Sequence, residues 1–225
     1  MRPSPGYGIC RIGPPAATFD VARYARGMRP SRLAIPASIL AVALAACGTA
    51  AVPETSFDPA SACTTDGRYA GAYPDLEALL PSTFEGEAPA TVDSGRNCTS
   101  VSLGTLAAAG VDGVRFAGAT WPKGGTSGLT IAVFEGDGLD AATLLSFYED
   151  GAQQARRTEK AVTSDTTVGS TPAKRLDVLG SDGTGQTIVT WPGAVPGRVN
   201  VLLAADVGDS AVAEALEALG GAATP

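Results

Sequence analysis

From Gly113 to the C-terminal end, the apolar positions change between a period of two and a period near 3.6, which predicts strands and helices in turn. Val114–Trp121 and Leu129–Glu135 predict two strands joined by a turn at Pro122-Lys123-Gly124-Gly125. Asp140 predicts the N-cap of a helix reaching to about Arg157, with Leu144, Leu145, Tyr148, Ala152 and Ala155 on one face. Further strands are predicted near Ala161–Val168, Ala173–Leu179, Gln186–Trp191 and Val199–Ala205. Gly169-Ser170 and Asp182-Gly183 mark hairpin turns, and Asp-Gly is a type I′ signal. Asp209 or Ser210 opens a last helix whose Val212, Ala215, Leu216 and Leu219 fall at i, i+3, i+4 and i+7.

The pattern is weaker upstream. Pro74 and Asp75 open a short helix through Leu80 that Pro81 stops. Segment 82–110 is ambiguous, with a strand near Ala90–Asp93 and a short helix near Leu103–Ala109. Residues 47–72 are small and polar, with Pro53 and Pro59, and read as a flexible tether. The globular domain is expected over 73–222.

An internal repeat of 70 residues adds to this picture. Thr120-Trp121-Pro122 aligns with Thr190-Trp191-Pro192, Leu129–Val133 with Val199–Leu203, and the helix starts Asp140-Ala141 and Ser210-Ala211 coincide. Gly151-Ala152 also matches Gly221-Ala222. Duplication and convergence on one pattern both explain it. The expected fold class is α+β: a mainly antiparallel sheet with helices packed on one face, with two ββα-type halves as one arrangement.

A different pattern precedes the domain. Arg29 and Arg32 are followed by the uncharged run Leu33–Ala46 and then by Cys47, in the order of a signal peptide over 28–46. The run is too short for a comfortable bilayer span, and Pro36 interrupts it. Leu44-Ala45-Ala46-Cys47 resembles the lipobox of bacterial lipoproteins. That resemblance implies lipidation of Cys47, cleavage before it, and a cell-membrane anchor facing the extracytoplasmic side. An ordinary secretory peptide or one anchor helix is the other reading. Residues 1–27 fit the scheme poorly, and Met28-Arg29-Pro30-Ser31 makes a better start than Met1, so 1–27 reads as a spurious or long cytoplasmic extension.

Charge divides at the same place. Before Cys47 stand six Arg and one Asp, a balance of +5; from Cys47 onward 10 Lys+Arg face 22 Asp+Glu, a balance of −12, giving the overall −7. The basic part suits the cytoplasmic side. The acidic domain repels nucleic acid, so no nucleic-acid partner is expected.

With Cys10 and Cys47 set aside, Cys63 and Cys98 remain. A pair in an oxidising compartment is read most simply as a structural disulfide. A metal or redox pair is the alternative, and it lacks Cys-x-x-Cys spacing and any histidine.

The absence of histidine from the sequence removes Ser-His-Asp and Cys-His catalysis. No Gly-x-Ser-x-Gly, phosphate-binding or dinucleotide-binding glycine motif is present, and Gly183-Thr184-Gly185 lies between strands as a hairpin. Glu135-Gly136-Asp137-Gly138-Leu139-Asp140 could hold calcium but reads first as a strand-to-helix turn. Glu149-Asp150 reads as a solvated helix face, and Arg156, Arg157 and Lys160 as cations at a helix end. Trp121 and Trp191 end strands ahead of prolines, where they either close the core or form a binding platform. Asn97-Cys98-Thr99 matches a glycosylation sequon but is set aside.

The body of the domain resembles a group of exported bacterial lipoproteins without an assigned activity. The residues that carry this are Leu76-Glu77-Ala78-Leu79-Leu80-Pro81, Leu139-Asp140-Ala141-Ala142-Thr143-Leu144-Leu145, Thr167-Val168-Gly169 and Ala213-Glu214-Ala215-Leu216. The resemblance implies an architecture and no catalytic residues. The expectation is a membrane-anchored, non-enzymatic binding or envelope accessory domain, with no cofactor and no metal and with an unspecified protein or small-molecule partner. A sensor or inhibitor module acting on an envelope enzyme is the alternative. A hydrolase using paired carboxylates, or a Ser beside Lys123, Lys160 or Lys174, is a further one.

Overall fold

Two strongly apolar stretches of the domain, Leu129–Phe134 and Val199–Ala204, lie side by side at the centre of one sheet. A computed structural model describes residues 57–221. Its strands are β1 (Gly67–Tyr69), β2 (Thr91–Asn97), β3 (Val114–Gly124), β4 (Ser127–Glu135), β5 (Thr158–Val168), β6 (Thr171–Gly180), β7 (Gly185–Pro192) and β8 (Arg198–Ala205). Its helices are α1 (Pro74–Glu77), α2 (Ser100–Leu103), α3 (Thr105–Ala108), α4 (Ala141–Gln154) and α5 (Asp209–Gly221).

All eight strands join in the order β1-β2-β3-β4-β8-β7-β6-β5, and every neighbouring pair is antiparallel. The chain thus folds as two four-stranded meanders, each followed by one longer helix, that meet along the β4–β8 ladder. The α+β class with an antiparallel sheet is the one the hydrophobic pattern predicts. Each half holds four strands, two more than the ββα unit names.

The helices divide between the two faces, whereas one covered face was expected. On β4, Ala132 and Phe134 pack with Leu144 and Leu145 of α4, while Leu129 and Ile131 pack with Val212, Ala215 and Leu216 of α5. On β8 the partition is the same: Val199, Val201 and Leu203 go with α4, Leu202 and Ala204 with α5. Successive side chains of a strand point to opposite faces, so the two clusters lie on opposite sides of the sheet. The reason is legible in the central strands, whose near-continuous apolar runs are what a strand covered on both faces requires. Short α1 sits on the α5 side, where Leu76 is buried with Phe57, Tyr73 and Val133.

The 70-residue repeat survives only in part. Trp121 and Trp191 belong to the same cluster, so the shift preserves the face between β3 and β7. Between β4 and β8 it does not, because Ile131 pairs with Leu202 and Ala132 with Val201. There the face is kept only by a shift one residue longer. With α4 and α5 on opposite faces as well, the repeat is one of strand order and not of three-dimensional symmetry.

Caps and turns explain the boundaries. Asp140 caps α4 by accepting from the Thr143 N–H at 2.7 Å. Gly169-Ser170 closes the β5–β6 hairpin between paired Val168 and Thr171, and Gly169 holds φ at +57°. A side chain at Gly220 of α5 would come within 2.3 Å of the Gly169 backbone nitrogen, so the helix end rests directly on that hairpin. Asp182-Gly183 departs from the predicted type I′ turn: it sits in a longer loop, with Asp182 Oδ1 accepting from Thr184 N–H and Oγ1. Among the described residues only Glu85 and Asp206 combine a side chain with positive φ, so Asp182 cannot supply that turn's geometry.

Ordered structure also begins earlier than Tyr73. Phe57 is buried and β1 pairs with β2, so residues 57–72 belong to the domain and not to a tether. Their composition gave no sign of it, because what fixes them is long-range.

Candidate functional site

The densest polar constellation is the clasp that holds residues 57–69 against β2, α2 and β3. Cys63 and Cys98 form a disulfide with Cα atoms 5.2 Å apart, linking this segment to the end of β2. Two residues before the bridge on β2, Arg96 is only 2 % exposed. Its Nε donates to Thr65 O at 2.9 Å, Nη1 to Ser61 O at 2.9 Å, and Nη2 to Ser61 Oγ and Thr65 Oγ1 at 3.1 and 3.3 Å. Its guanidinium carbon also stands 4.8 Å from the centre of the Phe57 ring. Five donors in a planar fork suit this task, and lysine could not copy it.

Asp66 closes the clasp from the other side. Oδ1 accepts from the N–H groups of Cys98 and Thr99 and from Ser102 Oγ, and Oδ2 accepts from Thr99 Oγ1. Burial pushes this carboxyl up, but the bonds from Cys98, Thr99 and Ser102 outweigh it and leave the pKa below its ordinary 3.8. The folded protein therefore binds this proton more weakly than the unfolded chain does. The stabilisation is complete above the ordinary carboxylate range and drains away as pH falls through the lower folded value. Glu135 and Asp177 shift the same way: burial raises each, and the bonds from Arg198 and Arg115, or from Arg175 and Thr187, outweigh it and leave each pKa lowered. Asp66→Asn should cost about 1 kcal/mol at neutral pH and flatten the acid limb of the stability curve. Urea midpoints from pH 2 to 7 check this, and a variant with an unchanged acid limb would refute the assignment.

The remaining candidates separate in space. Trp121 and Trp191 are 1 % and 4 % exposed, and Trp121 Nε1 donates to Glu87 O at 2.9 Å. Their rings fill the core on the α5 side, so they close it and leave no face for a surface platform. The acidic turn after β4 disperses its carboxylates: Glu135 bridges Arg115 and Arg198, while Asp140 caps α4. Among the described residues no three Asp, Glu or Cys side chains come together as a metal-binding group. Glu149 accepts from Gln153 one turn on. Arg156 and Arg157 lie beyond the end of α4 and Lys160 lies in β5, so they do not serve the helix dipole as expected.

Among the described residues, Ser102 and Ser94 each donate to a carboxylate, and Ser102 Oγ holds Asp66 Oδ1 within the clasp. Ser94 donates to Glu77 Oε1 at 2.8 Å and accepts from the Tyr73 N–H at 2.7 Å, but it is 0 % exposed and out of reach of a substrate. Lys123 pairs with Glu85 and Lys174 with Asp165. Tyr148, packed between Phe134 and Phe147, has its phenol pushed up by burial and stays neutral.

Sequence reasoning found the disulfide partners and missed Arg96 and Asp66. Their partners lie more than 30 residues away in the chain, so no local spacing could have marked them. Cys47 lies outside the described residues. No helix among the described residues is long and apolar enough to cross a membrane. The chain matches no protein-family model, no curated protein and no solved structure.

Proposed function

We propose that this chain is a lipoprotein anchored through Cys47 on the extracytoplasmic face of the cell membrane, where its domain acts as a non-enzymatic binding or envelope accessory module. The observation that carries the reading is Leu44-Ala45-Ala46-Cys47 at the end of an apolar run that follows Arg29 and Arg32. The Cys63–Cys98 bridge supports it, since such a bond persists in an oxidising compartment. The clasp supports it too: a domain held by its N-terminal end needs that end fastened, and Phe57, Arg96, Asp66 and the disulfide fasten it. The distribution of polar groups favours binding over catalysis, because the ionised side chains pair off in separate groups, Glu135 with Arg115 and Arg198 at one end of the central strands and Arg175 with Asp177 and Asp209 beside α5.

Intact-mass analysis of the protein purified from membranes tests the proposal in one measurement. The expected species begins at Cys47, carries two or three acyl chains, and is two hydrogens lighter than its reduced form. A species that retains residues before Cys47 and bears no lipid would end the reading.

A further inference from the structure

Among the described residues, strand β5 leaves one long side of the sheet open. The other edge strand, β1, has three residues, whereas β5 has eleven. The direction of the free backbone groups follows from the hairpin. Val168 and Thr171 close a two-residue turn, so their N–H and C=O groups face each other, and every second residue of β5 does likewise toward β6. The same parity holds across the sheet, where Gly180 N–H donates to Thr184 O and Asp206 N–H to Gly185 O. Ala161, Thr163, Asp165 and Thr167 therefore direct their backbone groups outward. Glu159 sits where the β5–β6 register shifts, so the regular stretch runs from Lys160 to Val168. Within it Val162 is 42 % exposed, and Thr163, Ser164 and Asp165 are exposed as well.

We propose that a second copy of this chain adds its own β5 to this edge, antiparallel, about a two-fold axis at Ser164. An open edge is a template for a strand, and the charges on this one select the register. An axis at Val162 would set Glu159 opposite Asp165 of the second copy, and an axis at Asp165 would oppose the two Asp165 side chains; both are repulsive. An axis at Thr163 would draw the irregular Glu159 into the ladder. With the axis at Ser164, Lys160 meets Val168, Ala161 meets Thr167, Val162 meets Thr166 and Thr163 meets Asp165. No like charges stand directly opposite, and each Asp165 keeps Lys174 of its own chain at 2.6 Å. All four outward residues find partners, giving about eight ladder bonds. Val162 and the threonines supply the β-branched cross-strand pairs that suit such a seam. The second copy is the occupant because it brings an edge of the same length, Lys160–Val168, on which this register opposes no like charges. The charge of −12 carried from Cys47 onward opposes the approach, so association should strengthen as salt rises to about 0.15 M.

Sedimentation equilibrium of the full chain in mild detergent tests this, with two variants. Thr163 points its N–H outward, so Thr163→Pro removes a seam bond without taking one from the β5–β6 ladder. The unaltered chain should be dimeric; Thr163→Pro should keep its far-ultraviolet circular dichroism and raise the dimer dissociation constant at least about tenfold. Ser164→Cys places the two sulfurs on the axis, at a non-bonded pair with Cα atoms about 4.5 Å apart, within reach of a disulfide. It should cross-link under mild oxidation, while Thr167→Cys and the unaltered chain should not. A monomeric unaltered chain, an undiminished Thr163→Pro dimer, or Thr167→Cys bridging as fast as Ser164→Cys would each overturn the proposal. If Thr163→Pro unfolds, the two cysteine variants decide it alone.

Discussion

Cells expressing Cys47→Ser should incorporate no labelled palmitate into this protein, whereas Cys10→Ser should incorporate as much as the unaltered chain. The expectation follows from the chemistry of the proposed anchor. Only the sulfur at position 47 follows directly on the apolar run, and a serine hydroxyl does not replace it as the acyl-bearing nucleophile. The physical consequence is large, because each buried methylene of an acyl chain contributes about 0.8 kcal/mol to membrane affinity. One chain holds a protein only marginally, whereas two or three hold it firmly. Partition into the detergent-rich phase of a clouding detergent should therefore fall from nearly complete to the level given by any uncleaved apolar segment. That segment, Leu33–Ala46, is 14 residues long and short for a bilayer, which needs about 20. Label reaching the Cys47→Ser protein would place the lipid elsewhere and remove the anchor on which the proposed function depends.

What the sequence made legible follows the range of each interaction. The strands from Val114 onward and the two long helices are set by alternation within a few residues and by local caps such as Asp140, and they appear where expected to within a few positions. The layering is harder to read, because the pattern along a strand shows both faces covered only where its apolar run is nearly unbroken, as in β4 and β8. Their continuous burial implied a helix on each side. Trp121 and Trp191 illustrate a different difficulty. A large aromatic ahead of a proline fits a core or a platform equally well, and only the arrival of α5 over them decides. The 70-residue repeat failed for a third reason. Strand faces alternate, so a shift that matches letters in β3 and β7 can exchange faces in β4 and β8 once a connection differs by one residue.

The N-terminal clasp was hidden most completely. Residues 57–66 contain one apolar anchor of any size, Phe57, and otherwise small and polar side chains that look like linker. Three separate long-range devices order them: a disulfide, a buried guanidinium and a carboxylate that receives four donors. The functional reading gains from this. Pull applied along the chain from an anchor at Cys47 would meet Phe57 and the Cys63–Cys98 bridge before β1, and the bridge would pass it to the end of β2, so the central strands β4 and β8 are shielded from the tether.

The clasp is also where a substitution should do most harm away from the central core. Arg96→Met replaces the guanidinium by an apolar chain of comparable reach and should destabilise the domain by about 3 kcal/mol. Four bonds are lost at once, and the segment that carries the Ser61 and Thr65 carbonyl oxygens loses the buried side chain that gathers it. The cation–π contact with Phe57 is lost as well, worth about 0.5–2 kcal/mol by itself. For a domain of this size the melting temperature should fall by roughly 6–12 °C. The oxidised variant keeps residue 63 tied to residue 98, so the loop should loosen without leaving. Reduction alone should cost about 3–4 kcal/mol in the chain-entropy picture, yet leave the segment docked through Arg96 and Asp66. Reducing the Arg96→Met protein should detach it. Because both devices hold the same residues, the combined loss should be less than the sum of the two, as expected for coupled sites. Hydrogen exchange at residues 60–68 follows the detachment, and melting curves of the four forms give the coupling. Fully additive losses, or Arg96→Met costing under about 1 kcal/mol, would mean that the segment is held by the disulfide and Phe57 and that the buried guanidinium is incidental.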